Sequence, residues 1–539
     1  MLLNCLIGAY ILISTVVYLI LPVSEIIAGF ILAPHVLLVP ILFGRSILYI
    51  SNLLEDNYDN VMFLISFLLG SSLIVVLSVS MQILKLPATI SYFIIVICVI
   101  LMFLKTIIHK EISRDLILTF DINKIDFKLI LSIMIVVIAG LVPALIVGRS
   151  RPVGTVGLDH MVGIELVQPI NRLIEYGIVD FWKARPMPFL ILAIPVISTG
   201  ISPLTLYWTM PFLLSPLFTL GVFFLVHEIT SNYRISIMAA LFSAFLNIGW
   251  GLFFDSVNFI FKYSTIITAL FPWVLCHIYH CEKWAIIEGK NPIPILNFLL
   301  AISLLIGFPL FAIATKIIFF PWHWYETTPF VIVGVALLLV FYQRRKNLET
   351  SLKSLYFLIG IFLIFIFTTE VIQPLFLNIY GAFVFAYTYI LLEKKKRYIC
   401  NKSITDIFRI LTVVVLIYLT LQIIGVIKFN NLSLPFDRTS FIGTQYTFAV
   451  KIDGLIKANS EPVLLFFSIC VIILTFMGSK ADLHMTFLTI LGLAAFFAPV
   501  SATIVLPHLF LNIFMSYVMA SGLNIFIKGS SNKSESVYD

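Results

Sequence analysis

The residues best suited to chemistry lie in segment 148–186, the longest polar interruption in an otherwise apolar chain. Asp159 and His160 follow a glycine-rich turn in this segment. A carboxylate in this setting can act as a general base toward an acceptor hydroxyl or can ligate a metal, and an imidazole can aid proton transfer or bind phosphate. Asp is also a common N-cap of helices, so a structural role for Asp159 is the alternative.

Basic side chains flank this pair on both sides. Arg149 and Arg151 precede it, and Lys183 and Arg185 follow it. Guanidinium groups bind phosphate oxygens through paired hydrogen bonds, so these residues are candidate ligands for a phosphate or pyrophosphate group. Attraction to anionic lipid headgroups explains them equally well. Arg438, in the later segment LPFDRTSF, is a weaker candidate of the same kind.

Other polar residues interrupt the apolar chain further on. Asp255, in WGLFFDSVNF, is a second catalytic candidate, because a carboxylate among aromatic residues at a membrane surface is costly unless it is used or paired. A helix cap is its alternative role. His323 and Glu326, in PWHWYETTP, are candidate substrate-binding residues, although aromatic belts also form at interfaces without any such role. Glu370, in FTTEVIQP, is either a metal ligand or a turn residue.

The motif CHIYHC at 276–281 is a separate cluster. On a helix it pairs Cys276 with His280 and His277 with Cys281 at i, i+4 spacing. Such pairs can bind zinc, but here they fall on adjacent faces and no second cluster accompanies them. The pattern favours a solvated helix end over a metal site.

The composition indicates the fold class. Apolar residues make up 61% of the chain and charged residues 11%, and the mean hydropathy is +1.09. Apolar runs of about 20 residues, the length that crosses a bilayer as a helix, recur throughout. The sequence therefore predicts an all-α, polytopic integral membrane protein with about 16 transmembrane helices. The net charge of +7 lies mostly on short loops and indicates orientation rather than nucleic-acid binding.

Five spans are predicted before the polar segment, at 2–21, 24–43, 62–82, 88–104 and 128–147. Residues 1–21 lack the basic start and small-residue cleavage site of a signal peptide, so we interpret them as a retained span. The basic loop 105–126 is expected in the cytoplasm, which places 148–186 on the extracytoplasmic face.

The remainder of the chain continues the same alternation. Residues 187–199 are too short and too proline-broken to cross, and a half-buried hairpin is expected there. Later spans are predicted near 203–226, 234–250, 263–279, 294–313, 328–342, 355–369, 372–392, 408–427, 461–478, 484–503 and 506–527. This count places the basic clusters 344–346 and 394–397 in the cytoplasm together with both termini, and it makes 529–539 a disordered cytoplasmic tail.

An amphipathic helix is predicted inside the polar segment. One face carries polar side chains and the other apolar ones, at helical spacing: Glu165, Gln168, Arg172 and Glu175 against Leu166, Ile170, Leu173 and Ile174. Such a helix lies in the membrane interface rather than across the bilayer. Pro169 is expected to bend or split it.

These features together resemble the GT-C superfamily of membrane glycosyltransferases. The resemblance rests on GLDH at 157–160 in a first large outer loop, followed by an interfacial helix and by RPMPFLILAIP at 185–195. Asp255 comes two spans later, as in the oligosaccharyltransferase branch, and TTE at 368–370 is vaguely similar to a later acidic motif of that branch. Residues 128–430 are covered. Neither Asp159 nor Asp255 has a DxD partner.

The resemblance implies a function and a division of the chain. The enzyme would move a sugar from a polyprenyl phosphate carrier to an acceptor hydroxyl on the extracytoplasmic face, in the plasma membrane if the source is prokaryotic. Asp159 would be the base or a metal ligand with Asp255 assisting, and a divalent cation, Mg²⁺ or Mn²⁺, is left open. The core would be 128–430, preceded by spans in 1–127 and followed by an outer loop and spans in 431–528. A transporter or lipid-linked-sugar flippase is the alternative of another class, and a structural membrane subunit is the third.

Overall fold

The computed structural model describes twelve helices and the short connections at their ends. Described are residues 2–51, 59–108, 127–150, 167–179, 186–246, 461–479 and 505–535, together with 266, 269–277, 279–280, 338, 361, 409–410, 412–414, 417, 482–483, 485–487 and 489–490. The helices are α1 (Leu2–Ile20), α2 (Glu25–Leu32), α3 (His35–Ile50), α4 (Asp59–Ile83), α5 (Ile90–Ile108), α6 (Phe127–Ser150), α7 (Gln168–Tyr176), α8 (Pro186–Thr199), α9 (Pro203–Thr230), α10 (Tyr233–Phe245), α11 (Glu461–Met477) and α12 (Val505–Glu535). Within these residues the structure is all-α, without strands.

Several of these helices suit a bilayer. Four helical stretches in the described part are long and apolar enough to cross one: Glu25–Ile50, Phe63–Ile83, Phe127–Leu145 and Pro203–Thr230. Many large apolar side chains on the bundle surface are exposed, as expected for helices whose outer faces contact lipid. The structure therefore supports membrane association and an all-α fold.

The first helices pack through small residues. A Cβ atom added to Gly44 of α3 would collide with the Ser66 backbone of α4, and one added to Gly70 would collide with the Pro40 carbonyl. Glycine lets helix backbones approach closely, which is how helices commonly associate in membranes. The two contacts make α3 and α4 antiparallel.

Helices α6 and α9 are antiparallel as well. The Ser215 hydroxyl donates to the carbonyl oxygen of Gly140. The Thr219 hydroxyl lies 3.4 Å from the carbonyl oxygen of Val136. Residues later in α9 thus contact residues earlier in α6, so Ser150 and Pro203 lie at the same end of the bundle.

Helix α8 ends at Thr199, four residues before Pro203, so its last turn lies near that end. Residues 189–193 are fully or almost fully buried against the bundle. The Tyr92 hydroxyl, near the start of α5, donates to the carbonyl oxygen of Leu190 at 2.8 Å. Where the sequence predicts a half-buried hairpin at 187–199, the structure has one continuous helix that includes Pro195.

The bundle therefore has two distinct ends. At one end lie the α4–α5 turn, helix α7, the end of α6 and the start of α9; we call it the α7 end. The other, which we call the opposite end, carries the end of α9 and the start of α10. Helix α12 also finishes there, because the Asn512 amide donates to the carbonyl oxygens of Ser243 and Leu246 and α12 runs antiparallel to α10.

Most predicted spans in the described part match helices within a few residues, but the second does not. It is two helices, α2 and α3, separated at Ala33–Pro34, and it continues to Ile50 instead of stopping at 43. The predicted span stops before Arg45 because a charged residue usually ends a span. In the structure the Arg45 guanidinium carbon lies 5.4 Å from the centre of the Phe63 ring. A cation can remain in a span when it meets an aromatic face.

The last helix is also longer than predicted. It continues to Glu535, through most of the segment 529–539 that the sequence predicts to be disordered. Helix α10, by contrast, stops at Phe245, short of the predicted 250, and Leu246 is extended.

Candidate functional site

The α7 end of the bundle holds the described part of the candidate site. Helix α7 begins at Gln168, and Pro169 occupies its first turn, where a missing N–H costs nothing. Val167 before it is also helical (φ −68°, ψ −46°), so the bend or split predicted at Pro169 concerns residues before 167 and stays a prediction. The residues Glu165 and Leu166 of the predicted helix lie outside the described residues.

Of the three described residues on the predicted apolar face of α7, two are buried. Ile170 and Leu173 have 0% exposure, while Gln168, Arg172 and Glu175 are exposed. Ile174, which the same spacing puts on the apolar face, is 43% exposed rather than packed against the bundle. A helix at a membrane surface can leave such an apolar flank to lipid, so the exposure of Ile174 is compatible with the predicted interfacial helix.

A glycine cap joins α7 to the α4–α5 turn. Gly177 has φ 65° and ψ 21°, the left-handed conformation that ends many helices. Its carbonyl oxygen accepts a hydrogen bond of 2.7 Å from the Ala88 amide. A Cβ atom at this position would lie 2.6 Å from Cβ of Pro87. Only glycine suits both the backbone conformation and the contact.

A second hydrogen bond reinforces the same junction. The Val179 amide donates to the side-chain carbonyl oxygen of Gln82 at 3.0 Å. Helix α4 itself ends in a left-handed residue, Lys85 (φ 59°), with the Leu86 amide bonded to the Met81 carbonyl oxygen at 2.8 Å. Helix α7 is thus fixed to the bundle by backbone groups.

A small cavity of about 220 Å³ lies at this junction. It is lined by Gln82, Lys85, Leu86, Pro87, Tyr176, Gly177 and Ile178. The C-terminal ends of α4 and α7 both meet here, and the carbonyl ends of helices favour a cation such as Lys85. Anion binding would need further positive charge. The sequence reasoning missed Gln82 and Lys85, although the KLP sequence between two apolar runs marks a turn.

The structure locates one of the predicted site residues. Arg149 lies in the last turn of α6, at the α7 end. The others lie outside the described residues: Arg151, Asp159, His160, Lys183, Arg185, Asp255, His323, Glu326, Glu370 and Arg438. Their mutual geometry remains a prediction. Segment 151–166, which contains Asp159 and His160, is nevertheless bounded by helix ends at one end of the bundle.

The described residues of the cysteine–histidine motif lie at the opposite end, and Cys281 lies outside the described residues. The Trp273 indole donates to the Leu217 carbonyl oxygen at 2.8 Å, which sets the segment alongside α9. His280 is 61% exposed on its side chain, and its Nδ1 lies 3.3 Å from Oε1 of Glu228. His277 is buried, and Cys276 is partly buried. Among the described residues, no three potential ligands are placed to hold a metal ion.

Comparisons with known proteins add no relative. No protein-family model matches the chain, and neither a curated protein nor a solved structure matches it significantly.

Proposed function

We propose that the chain is a membrane glycosyltransferase of GT-C type. It would transfer a sugar from a polyprenyl phosphate carrier to an acceptor hydroxyl at the α7 end of the bundle, on the extracytoplasmic face. The observation that supports this most is the placement of α7. An amphipathic helix directly follows the segment with Asp159, and hydrogen bonds fix it to the α4–α5 turn, at the same end of the bundle as the end of α6.

The proposed reaction is a displacement at the anomeric carbon. The acceptor hydroxyl oxygen attacks that carbon, and the bond from the carbon to the carrier phosphate oxygen breaks. The phosphate leaves with the bonding electrons, and the hydroxyl proton passes to the carboxylate of Asp159. Asp255 assists. The proposal leaves a divalent cation, Mg²⁺ or Mn²⁺, open, with Glu370 as a candidate ligand.

The proposed phosphate ligands are Arg149, Arg151, Lys183 and Arg185, while His160, His323, Glu326 and Arg438 remain candidate substrate contacts. Arg149 stands at the carbonyl end of α6, where a cation is favoured. The carrier would keep its polyprenyl chain in the bilayer. The exposed apolar flank formed by Ile174, Tyr176 and Ile178 offers that chain a surface beside the site.

A transporter or lipid-linked-sugar flippase is the second candidate, and one observation favours it. His35 is buried at the break between α2 and α3, and its Nε2 lies 2.7 Å from the Ser14 hydroxyl oxygen. Ionisable residues inside a membrane and interrupted helices are both typical of transport sites. Under this alternative, replacing His35 would abolish activity, and replacing Asp159 would not.

The test is sugar transfer in membranes that contain the protein. A labelled polyprenyl-phosphate sugar is supplied, and transfer is normalised to folded protein. Asp159→Asn keeps a good helix cap but removes the base, so transfer should fall about 100-fold or more. Asp255→Asn should also reduce it. Glu228→Gln, the same chemical change at the opposite end, should leave the rate unchanged. Near-wild-type rates for both Asp variants would overturn the proposal.

A further inference from the structure

A second cavity lies at the opposite end of the bundle, between α10 and α12. Its volume is about 270 Å³, and it is lined by Arg234, Ile237, Met238, Asn524 and Ile527. Three of these side chains are apolar. Of the other two, Arg234 can bind an anion and Asn524 can donate and accept hydrogen bonds. The cavity therefore combines an apolar wall with a cationic group.

The positive charge comes from a side chain rather than from the helix start. Arg234 is exposed in the first turn of α10. The backbone amides of Arg234 and Ile235 already donate to the Asn232 side-chain oxygen, at 3.0 Å and 3.4 Å. An anion in the cavity would therefore meet the Arg234 guanidinium, which can bind two phosphate oxygens at once.

The apolar wall continues onto an exposed apolar surface. Phe526 and Ile527 are 66% and 49% exposed on α12, and Lys528 follows them directly. Exposed apolar residues followed by a cation are typical of a helix leaving the bilayer. The cavity is smaller than the roughly 300 to 1,000 Å³ of pockets that enclose a whole ligand. It suits one part of a larger molecule.

We propose that this cavity binds an anionic phospholipid. The phosphate would contact the Arg234 guanidinium, and the adjoining part of the lipid would pack on Ile237, Met238 and Ile527. Basic pockets between helices at a membrane surface recognise such headgroups. The site is distinct from the sugar-transfer site, which lies at the other end of the bundle.

The test is lipid binding to the full chain in neutral detergent, followed by native mass spectrometry. Phosphatidylglycerol should bind more tightly than phosphatidylcholine. Arg234→Gln should weaken phosphatidylglycerol about fivefold, the contribution of one basic residue near a charged surface. Lys128→Gln removes an exposed cation at the same end but outside the cavity. This variant should bind phosphatidylglycerol as tightly as the wild type does.

Two measurements on the unmodified chain make the result independent of how the variants fold. Raising the salt concentration should weaken phosphatidylglycerol binding, because the contact is ionic. Inorganic phosphate, added at the same concentration as the lipid, should not displace bound phosphatidylglycerol. Equal binding of the two lipids, indifference to salt, displacement by phosphate alone, or equal losses in the Arg234 and Lys128 variants would each overturn the proposal.

Discussion

The two ends of the bundle are held by different interactions. At the α7 end, a helix is fixed by amide hydrogen bonds to Gly177 and Gln82 and by two fully buried side chains. At the opposite end, the described contacts include an exposed pair between His280 and Glu228 and a cavity beside an exposed arginine. The first end depends on close packing and backbone geometry, whereas the ion pair described at the second is exposed and contributes little to stability. Stability and function should therefore respond differently to substitutions at each.

The largest effect is expected where a charge enters the buried face of α7. Ile170→Asp and Leu173→Asp should each lower the free energy of unfolding by about 3 kcal/mol or more, because apolar burial is lost and a carboxylate is desolvated. Gln168→Ala, on the exposed face, should change it by less than about 0.5 kcal/mol. Denaturation of the purified protein in mixed micelles measures all three. Similar losses for all three would show that α7 is not amphipathic as described.

An intermediate effect is expected at the glycine cap. Gly177→Ala should destabilise the protein by about 2 to 4 kcal/mol, since it adds left-handed strain and a collision with Pro87. Gly200→Ala is the matched control: φ is +77° there, but no atom lies within 4 Å of the added Cβ. It should cost about 1 kcal/mol. Thermal unfolding in one detergent compares the two. Equal losses would mean that the Gly177–Pro87 contact contributes nothing.

The smallest effect is expected at the opposite end. Glu228→Gln removes the partner of His280, but exposed ion pairs contribute at most about 1 kcal/mol and often nothing measurable. The unfolding midpoint should shift by no more than the Gln168→Ala variant does. The same thermal unfolding assay measures this. A loss comparable to that of Gly177→Ala would erase the distinction between the two ends.

The sequence predicted the parts of α7 that follow from periodicity. Ile170 and Leu173 recur at helical spacing and are buried. Ile174 fits the same period but is partly exposed, because a short docked helix buries only a narrow stripe of its surface. Pro169 lies in the first turn of the described helix, where its missing N–H leaves no hydrogen bond unmade, and the bend predicted there concerns residues before 167.

The junction with the α4–α5 turn could not be predicted in this way. The contacts of Ala88 with Gly177 and of Gln82 with Val179 join residues about 90 positions apart through hydrogen bonds that involve backbone groups. Local side-chain patterns do not encode such pairings. The all-helical class follows from the apolar composition together with runs of about 20 apolar residues, the length at which a helix crosses lipid and satisfies its own backbone groups. The span count and the GT-C core stay predictions.

The central claim is that α7 and the start of α10 lie on opposite sides of one membrane, with α7 outside. Single cysteines at Glu175 and Ser231, both exposed, would be introduced into a chain whose own six cysteines are replaced. Intact cells are then treated with a membrane-impermeant maleimide. Position 175 should be labelled from outside, and position 231 only after permeabilisation. Labelling of position 231 in intact cells, or of both positions equally, would contradict the account.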